Sequence, residues 1–205
     1  MNMSVPVSKI VIPLFLLAAI TCSSIAQKSD QRIAVVEKIS GVPIFLFSEP
    51  LNPYKVVGRA EKNMEILLMD MADYNSVNKK AMKMIAAAKD RQQKEKLGTF
   101  DAIYVNLELS QSLAITFTSD ISLKAKVYVF RNISVFLFSK PYDNYEEVVR
   151  LPAKSEDYEE NGLLQDKVNS MIKRALRRVK TGDLEPFDGL IFNPDDMSAT
   201  AIKFK

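Results

Sequence analysis

The 205-residue chain has no histidine, no tryptophan and a single cysteine, Cys22. Without histidine the Ser–His–Asp and Cys–His relays cannot be assembled in their familiar form. With no histidine and only Cys22 as a thiol, the imidazole and thiolate ligand sets that usually hold zinc cannot be assembled. Glycine is scarce, with six residues in all, and none cluster into a Gly-x-Gly-x-x-Gly fingerprint or a P-loop. Neither sign of charge dominates: 28 basic residues face 25 acidic ones, for a formal net charge of +3. No strong global field is implied, and neither nucleic acid nor a cofactor is expected.

Long apolar runs are limited to one. Ile10 to Ile20 follows Lys9 and precedes the small-x-small sequence Ser24-Ile25-Ala26. The order of basic residue, apolar stretch and small residues is that of a cleaved export signal covering residues 1–26. The stretch is shorter than the roughly 20 residues that span a bilayer. Ala19-Ile20-Thr21-Cys22 offers an alternative, because it resembles a bacterial lipobox in which Cys22 would carry lipid; Thr21 departs from the small residue usual there. Either route places the protein in the periplasm or cell envelope, with membrane contact only through the signal or a lipid on Cys22. An exported chain without paired cysteines must be held by packing and not by disulfides.

What the chain does contain is a repeat. Val42-Pro43-Ile44-Phe45-Leu46-Phe47-Ser48-Glu49-Pro50 returns as Ile133-Ser134-Val135-Phe136-Leu137-Phe138-Ser139-Lys140-Pro141. Phe100-Asp101 and Ala114-Ile115-Thr116-Phe117 return as Phe187-Asp188 and Ala201-Ile202-Lys203-Phe204. Self-similarity of this length implies a duplicated structural unit, with one copy over 27–119 and the other over 120–205. The offset is 91 at Tyr54 and Tyr145, and can be followed to Val77-Asn78 and Val168-Asn169. It is 87 at Phe100 and Phe187. The first copy thus holds four extra residues, which the charged segment Asp90 to Lys96 would absorb most easily.

The expected class is α+β, a tandem duplication of a β-β-α-β-β unit. Strands are expected at Ile44–Ser48, Lys55–Ala60, Ala102–Leu107 and Leu113–Thr118. Their second-copy counterparts are Val135–Ser139, Glu146–Leu151, Leu190–Asn193 and Thr200–Phe204. A further strand precedes each copy, at Arg32–Lys38 and Lys124–Phe130. Pro50 should end the first strand, and Ser48 to Tyr54 should be a loop. Leu164, Val168, Met171, Ile172, Ala175, Leu176 and Val179 fall on one helical stripe, with Asn161 placed to cap it and Gly182 to stop it. Val77, Ala81, Met84, Ile85 and Ala88 form the matching stripe after Ser76. Ile44 to Phe47 is apolar on both faces, so a helix covers one face and the other requires a second cover. The two sheets should therefore pack together about a pseudo-twofold axis, each with its amphipathic helix outside.

Candidate sites follow from charge. Lys167, Lys173, Arg174, Arg177, Arg178 and Lys180 lie opposite the second helical stripe, and Lys79, Lys80, Lys83 and Lys89 opposite the first. Such faces suit an anionic envelope component or an acidic protein, although charge runs also serve simply as solvated surface. Asp101 and Asp188 occupy equivalent positions, with Arg59 and Arg150 as candidate partners. They could act as paired acids in a hydrolase or bind local backbone. Tyr54 and Tyr145 could line a groove or pack on the core. Asp183, Glu185, Asp188, Asp195 and Asp196 form an acidic stretch whose spacing matches no EF-hand, and Asn193-Pro194-Asp195-Asp196 reads as a hairpin turn. No metal site is expected.

The Phe-Leu-Phe strand, Tyr-x-x-Val strand, amphipathic helix, and Phe-Asp and Ala-Ile-x-Phe strands resemble small bacterial envelope domains. These are the YbjQ-like domains and the Rcs envelope-stress sensor lipoprotein. The likeness rests on spacing and hydrophobic pattern; the sensor's disulfides have no counterpart here. It implies an envelope role and transfers no site residues. The expected function is non-enzymatic binding or scaffolding in the cell envelope. The alternative is a carboxylate-dependent hydrolase using Asp101 and Asp188.

Overall fold

The structure, a computed structural model, describes residues 32–60, 77–154 and 163–205. The leading segment with Cys22, Ser76 and the cap expected at Asn161 lie outside the described residues. The chain is mixed α+β. Its first half runs β1 (Ile33–Val36), β2 (Lys38–Ile39), β3 (Val42–Phe45), β4 (Ser48–Pro50), β5 (Tyr54–Arg59), α1 (Val77–Gln93), β6 (Ala102–Asn106) and β7 (Gln111–Phe117). The second half runs β8 (Lys124–Phe130), β9 (Ile133–Phe136), β10 (Ser139–Pro141), β11 (Tyr145–Leu151), α2 (Leu164–Thr181), β12 (Gly189–Phe192) and β13 (Ala199–Phe204).

One sheet has the order β2-β3-β6-β7-β5, and the other contains β8-β9-β12-β13-β11 together with β1, β4 and β10. The pairing agrees residue by residue between halves. Ile44 lies opposite Ile103 in a parallel pair, as Val135 lies opposite Leu190. A parallel pair needs a long crossover, which α1 and α2 supply. The β5–β7 ladder shifts register between Val56 and Gly58, and the β11–β13 ladder between Glu147 and Val149. The hairpins before β3 and β9 turn on Ser40-Gly41 (φ 48° and 82°) and Arg131-Asn132 (φ 51° and 65°). Two positive-φ residues make the hairpin turn whose twist matches its strands.

The halves exchange strands. Phe47 and Phe138 adopt φ of 54° and 55°, which breaks each expected strand at that point. The chain beyond each break pairs with the opposite half: β4 with β8, Glu49 facing Lys126, and β10 with β1, Lys140 facing Val35. Ser48 to Pro50 is therefore a strand and not the expected loop. Pro50 is tolerated because β4 pairs only with β8, at an edge. Between the halves, β1 runs antiparallel to β8 with Ala34 facing Ala125, and Leu46 bridges to Leu137. At both places, residues 91 positions apart meet each other.

This exchange supplies the second cover for β3 and β9. Ile44 and Leu46 join a core with Val135, Leu137 and the buried stripes of both helices. Phe45 points the other way, packing with Val36, Ala102, Ile115, Phe117 and Ala125. Phe136 does the same with Ala34, Val127 and Ile202. The cover over each phenylalanine thus draws on both β1 and β8, and not on a whole opposing sheet. Each such ring is fully buried, a gain of about 1.5–3 kcal/mol over an exposed one.

The helices correct one expectation. Val77, Ala81, Met84, Ile85 and Ala88 are the buried residues of α1, while Leu164, Val168, Met171, Ile172 and Ala175 occupy the same places on α2. Every pair is 87 apart. The helix ends agree: Glu95 and Lys96 N–H donate to Gln92 and Arg91 carbonyls, as Gly182 and Asp183 donate to Val179 and Arg178. The offset therefore changes between Ala60 and Val77, before the helix, and not at Asp90 to Lys96. A slip of four residues is nearly one helical turn, so the apolar stripe alone cannot distinguish 91 from 87.

Candidate functional site: a tyrosine-lined cleft

A cleft of about 620 Å³ opens where β4, β8 and the β6–β7 turn converge. Its volume lies within the range of small-ligand sites. Tyr54 and Tyr104 form one wall, their rings 5.8 Å apart at an interplanar angle of 65°. Both lean on the Phe45 core. Tyr128 stands opposite, packed on Phe47 at 5.5 Å, and its hydroxyl accepts a 3.2 Å hydrogen bond from Gln165 of α2. Glu49 and Lys126 face each other across the β4–β8 ladder, with no ion pair between them. Asn106, Leu107 and Glu108 close the rim.

The local electrostatics are negative at the tyrosines. Burial first, then Tyr54, Glu49 and Glu108, push the Tyr104 phenol up to about 12. Burial, and then Glu49, raise Tyr54 above its ordinary value.

The same places in the second half hold different residues. Ile191 stands where Tyr104 does, and Glu37 where Tyr128 does. Lys140 occupies the position of Glu49 and binds Glu37 at 2.8 Å, an ion pair that raises the Lys140 pKa, chiefly through the hydrogen bond. Asn78 occupies the position of Gln165. Its backbone N–H donates to the Pro194 carbonyl at 3.2 Å, and its side-chain amide to Asp195 at 2.9 Å. The residues that line the cleft in one half thus have counterparts in the other that are aliphatic or bonded elsewhere. The Ser48 hydroxyl, beside the cleft, is buried without a hydrogen-bond partner, but so is that of Ser139. This feature therefore belongs to the strand exchange common to both halves.

The basic residues of the two helices differ in exposure and in what they bind. Lys167 is 4 % exposed and does not lie on the expected solvent side, because it follows directly from the apolar stripe at Leu164 and Val168. Arg174 donates to the Pro152 carbonyl at 2.8 Å and Arg178 to the Asp183 carbonyl at 3.3 Å. Lys89 donates to the Ser40 carbonyl at 3.0 Å. Arg177 and Lys180 are exposed and Lys173 is half-buried; Lys79 and Lys83 are exposed and Lys80 is half-buried. In the 87-residue alignment the only basic pairs shared by the helices are Lys80 with Lys167 and Arg91 with Arg178. Arg91 donates to the Arg59 carbonyl.

Asp101 and Asp188 serve their own sheets. Asp101 accepts from the Thr116 hydroxyl at 2.6 Å and the Phe117 N–H at 2.9 Å. Asp188 accepts from the Phe204 N–H at 3.0 Å. Neither takes the expected arginine: Arg150 pairs with Asp196 at 3.2 Å and donates to Ser198. Asp196 is held below its ordinary pKa, first by the Ser198 hydroxyl, with its backbone N–H and Arg150 contributing. Tyr145 packs beside Phe136, whereas Tyr54 lines the cleft. Among the described residues, no group of three or more His, Cys, Asp or Glu gathers to hold a metal ion, and no helix is long and apolar enough to cross a membrane. In comparisons with protein-family models, curated proteins and solved structures, nothing matches the chain.

Proposed function

We propose that the chain is a tandem duplication of a β-β-α-β-β unit serving as a non-enzymatic binding protein of the bacterial cell envelope. Its ligand sits in the Tyr104 cleft. One observation carries the reading: a cleft of ligand size is lined by residues whose counterparts in the other half are an aliphatic side chain or are engaged in bonds of their own. The matched ladders and the self-facing pairs Ala34–Ala125 and Leu46–Leu137 support duplication about a pseudo-twofold axis. The basic, apolar and small-residue order of residues 1–26 supports export. The hydrolase reading has no observation in its favour, since Asp101 and Asp188 are both engaged by backbone N–H groups.

The test is a photo-cross-linking amino acid placed at Tyr104 or at Ile191 in the full chain, activated in cells. A discrete adduct at position 104 and none at 191 is expected. Equal adducts at both positions, or none at 104, would overturn the assignment.

A further inference from the structure

We infer that the cleft selects an organic cation, a ligand that presents an ammonium group to the corner formed by Tyr54 and Tyr104. The inference rests on the binding reading above and names the ligand class. Aromatic faces carry negative potential and attract ammonium groups within about 6 Å of the ring. Both rings line the cleft, where they meet edge to face at 65°. The charged side chains lining the cleft are Glu49, Glu108 and Lys126, a net charge of −1. Lys126 faces Glu49 across the ladder and offsets it, which leaves Glu108 unanswered at the rim. The field of both carboxylates reaches the Tyr104 hydroxyl and helps keep it protonated, so the ring remains a neutral phenol at physiological pH. Val105, Leu107 and Val127 provide apolar surface for the body of the guest. An anionic ligand would find one lysine against two carboxylates. The second half lacks these features: Ile191 replaces the ring, Lys140 replaces Glu49, and Asp195, the counterpart of Glu108, is held by Asn78.

The test is an NMR titration of the full chain with choline and with its uncharged isostere 3,3-dimethylbutan-1-ol. Choline is expected to shift the Tyr54 and Tyr104 ring protons and to bind about five-fold more tightly than the alcohol, the size of a cation–π contact. Glu108→Gln, a change on an exposed turn, should remove most of that preference, as should Tyr104→Leu. Lys140→Gln should leave it unchanged. Equal binding of choline and the alcohol, or no ring shifts with choline, would overturn the inference. If position 104 still cross-links in cells to a ligand without an amine, the binding reading stands and the cation assignment alone falls. If neither experiment finds a ligand, both fall.

Discussion

The two halves share every ladder register described above but differ in what they do with the space at the end of the β6–β7 or β12–β13 hairpin. In the second half Asn78 and the Lys140–Glu37 pair tie the surrounding elements together. In the first half Gln165 donates to the Tyr128 hydroxyl, and Tyr54 and Tyr104 line the cleft. The conserved part of the architecture is backbone pairing and apolar burial. The part free to diverge is a handful of side chains at the rim, where a substitution costs little stability. Function is expected where the halves differ chemically and not where they coincide.

The comparison is broken most severely by separating its members. Chains 32–119 and 120–205, produced apart, should each fail to fold, because β4 and β10 would lose their partners and Phe45 and Phe136 part of their cover. An equimolar mixture should recover the β-rich circular dichroism of the intact protein. A cooperative melt from either half alone would refute this. Next, Leu46→Ala and Leu137→Ala should each cost about 2–5 kcal/mol in denaturant unfolding. The double variant should lose less than the sum, because the two side chains share one site.

A smaller effect sharpens the comparison within the first half. A Cβ on Gly58 would lie 2.7 Å from Leu97 Cδ1, so Gly58→Val, which installs the residue found at Val149, should cost about 1–3 kcal/mol through overpacking. The helix ends provide a reciprocal pair. Glu95 (φ 55°) holds the left-handed position that Gly182 (φ 81°) holds in the second half, and a Cβ at 182 would meet nothing within 4 Å. Only backbone preference is then at stake. Glu95→Gly should stabilise and Gly182→Ala destabilise by about 1 kcal/mol each.

The least perturbing test is spectroscopic. Tyrosinate absorbance should show a phenol titrating near 12, and Tyr104→Phe should remove it. Because the folded-state value is raised, this group favours the folded protein fully below about pH 10 and loses that contribution as pH rises toward 12. Half-exposure keeps the effect modest. Absence of any phenol titrating near 12 would refute the burial of the Tyr104 hydroxyl beside Glu49 and Glu108.

Much of the framework was legible because its signals are local. The strands near 102–106, 111–117, 145–151 and 199–204 follow from β-rich apolar patterns. The αL stop at Gly182 follows from the one residue type that adopts it freely. The break at Phe47 was not legible, since nothing in Leu-Phe-Ser announces a positive φ for a bulky residue. The placement of the four extra residues also failed, because a helix accepts a four-residue slip without moving its stripe. Of the cleft, only Tyr54 was in view. Tyr104 sits in a strand whose pattern reads as core, and Glu49 and Lys126 are 77 residues apart until β4 crosses to β8.

The sequence by itself determined the α+β class, the apolar stripes of the two helices, the doubly apolar strands and the absence of histidine chemistry. These follow from composition and from periods of 2 and 3.6 residues, which need no knowledge of neighbours. Tertiary structure alone decided where the cleft lies, that Lys167 is buried, and that Asp101 and Asp188 bind backbone. The two aspartates meet partners 16 residues on within their own sheets, whereas the cleft forms only where β4 crosses to β8.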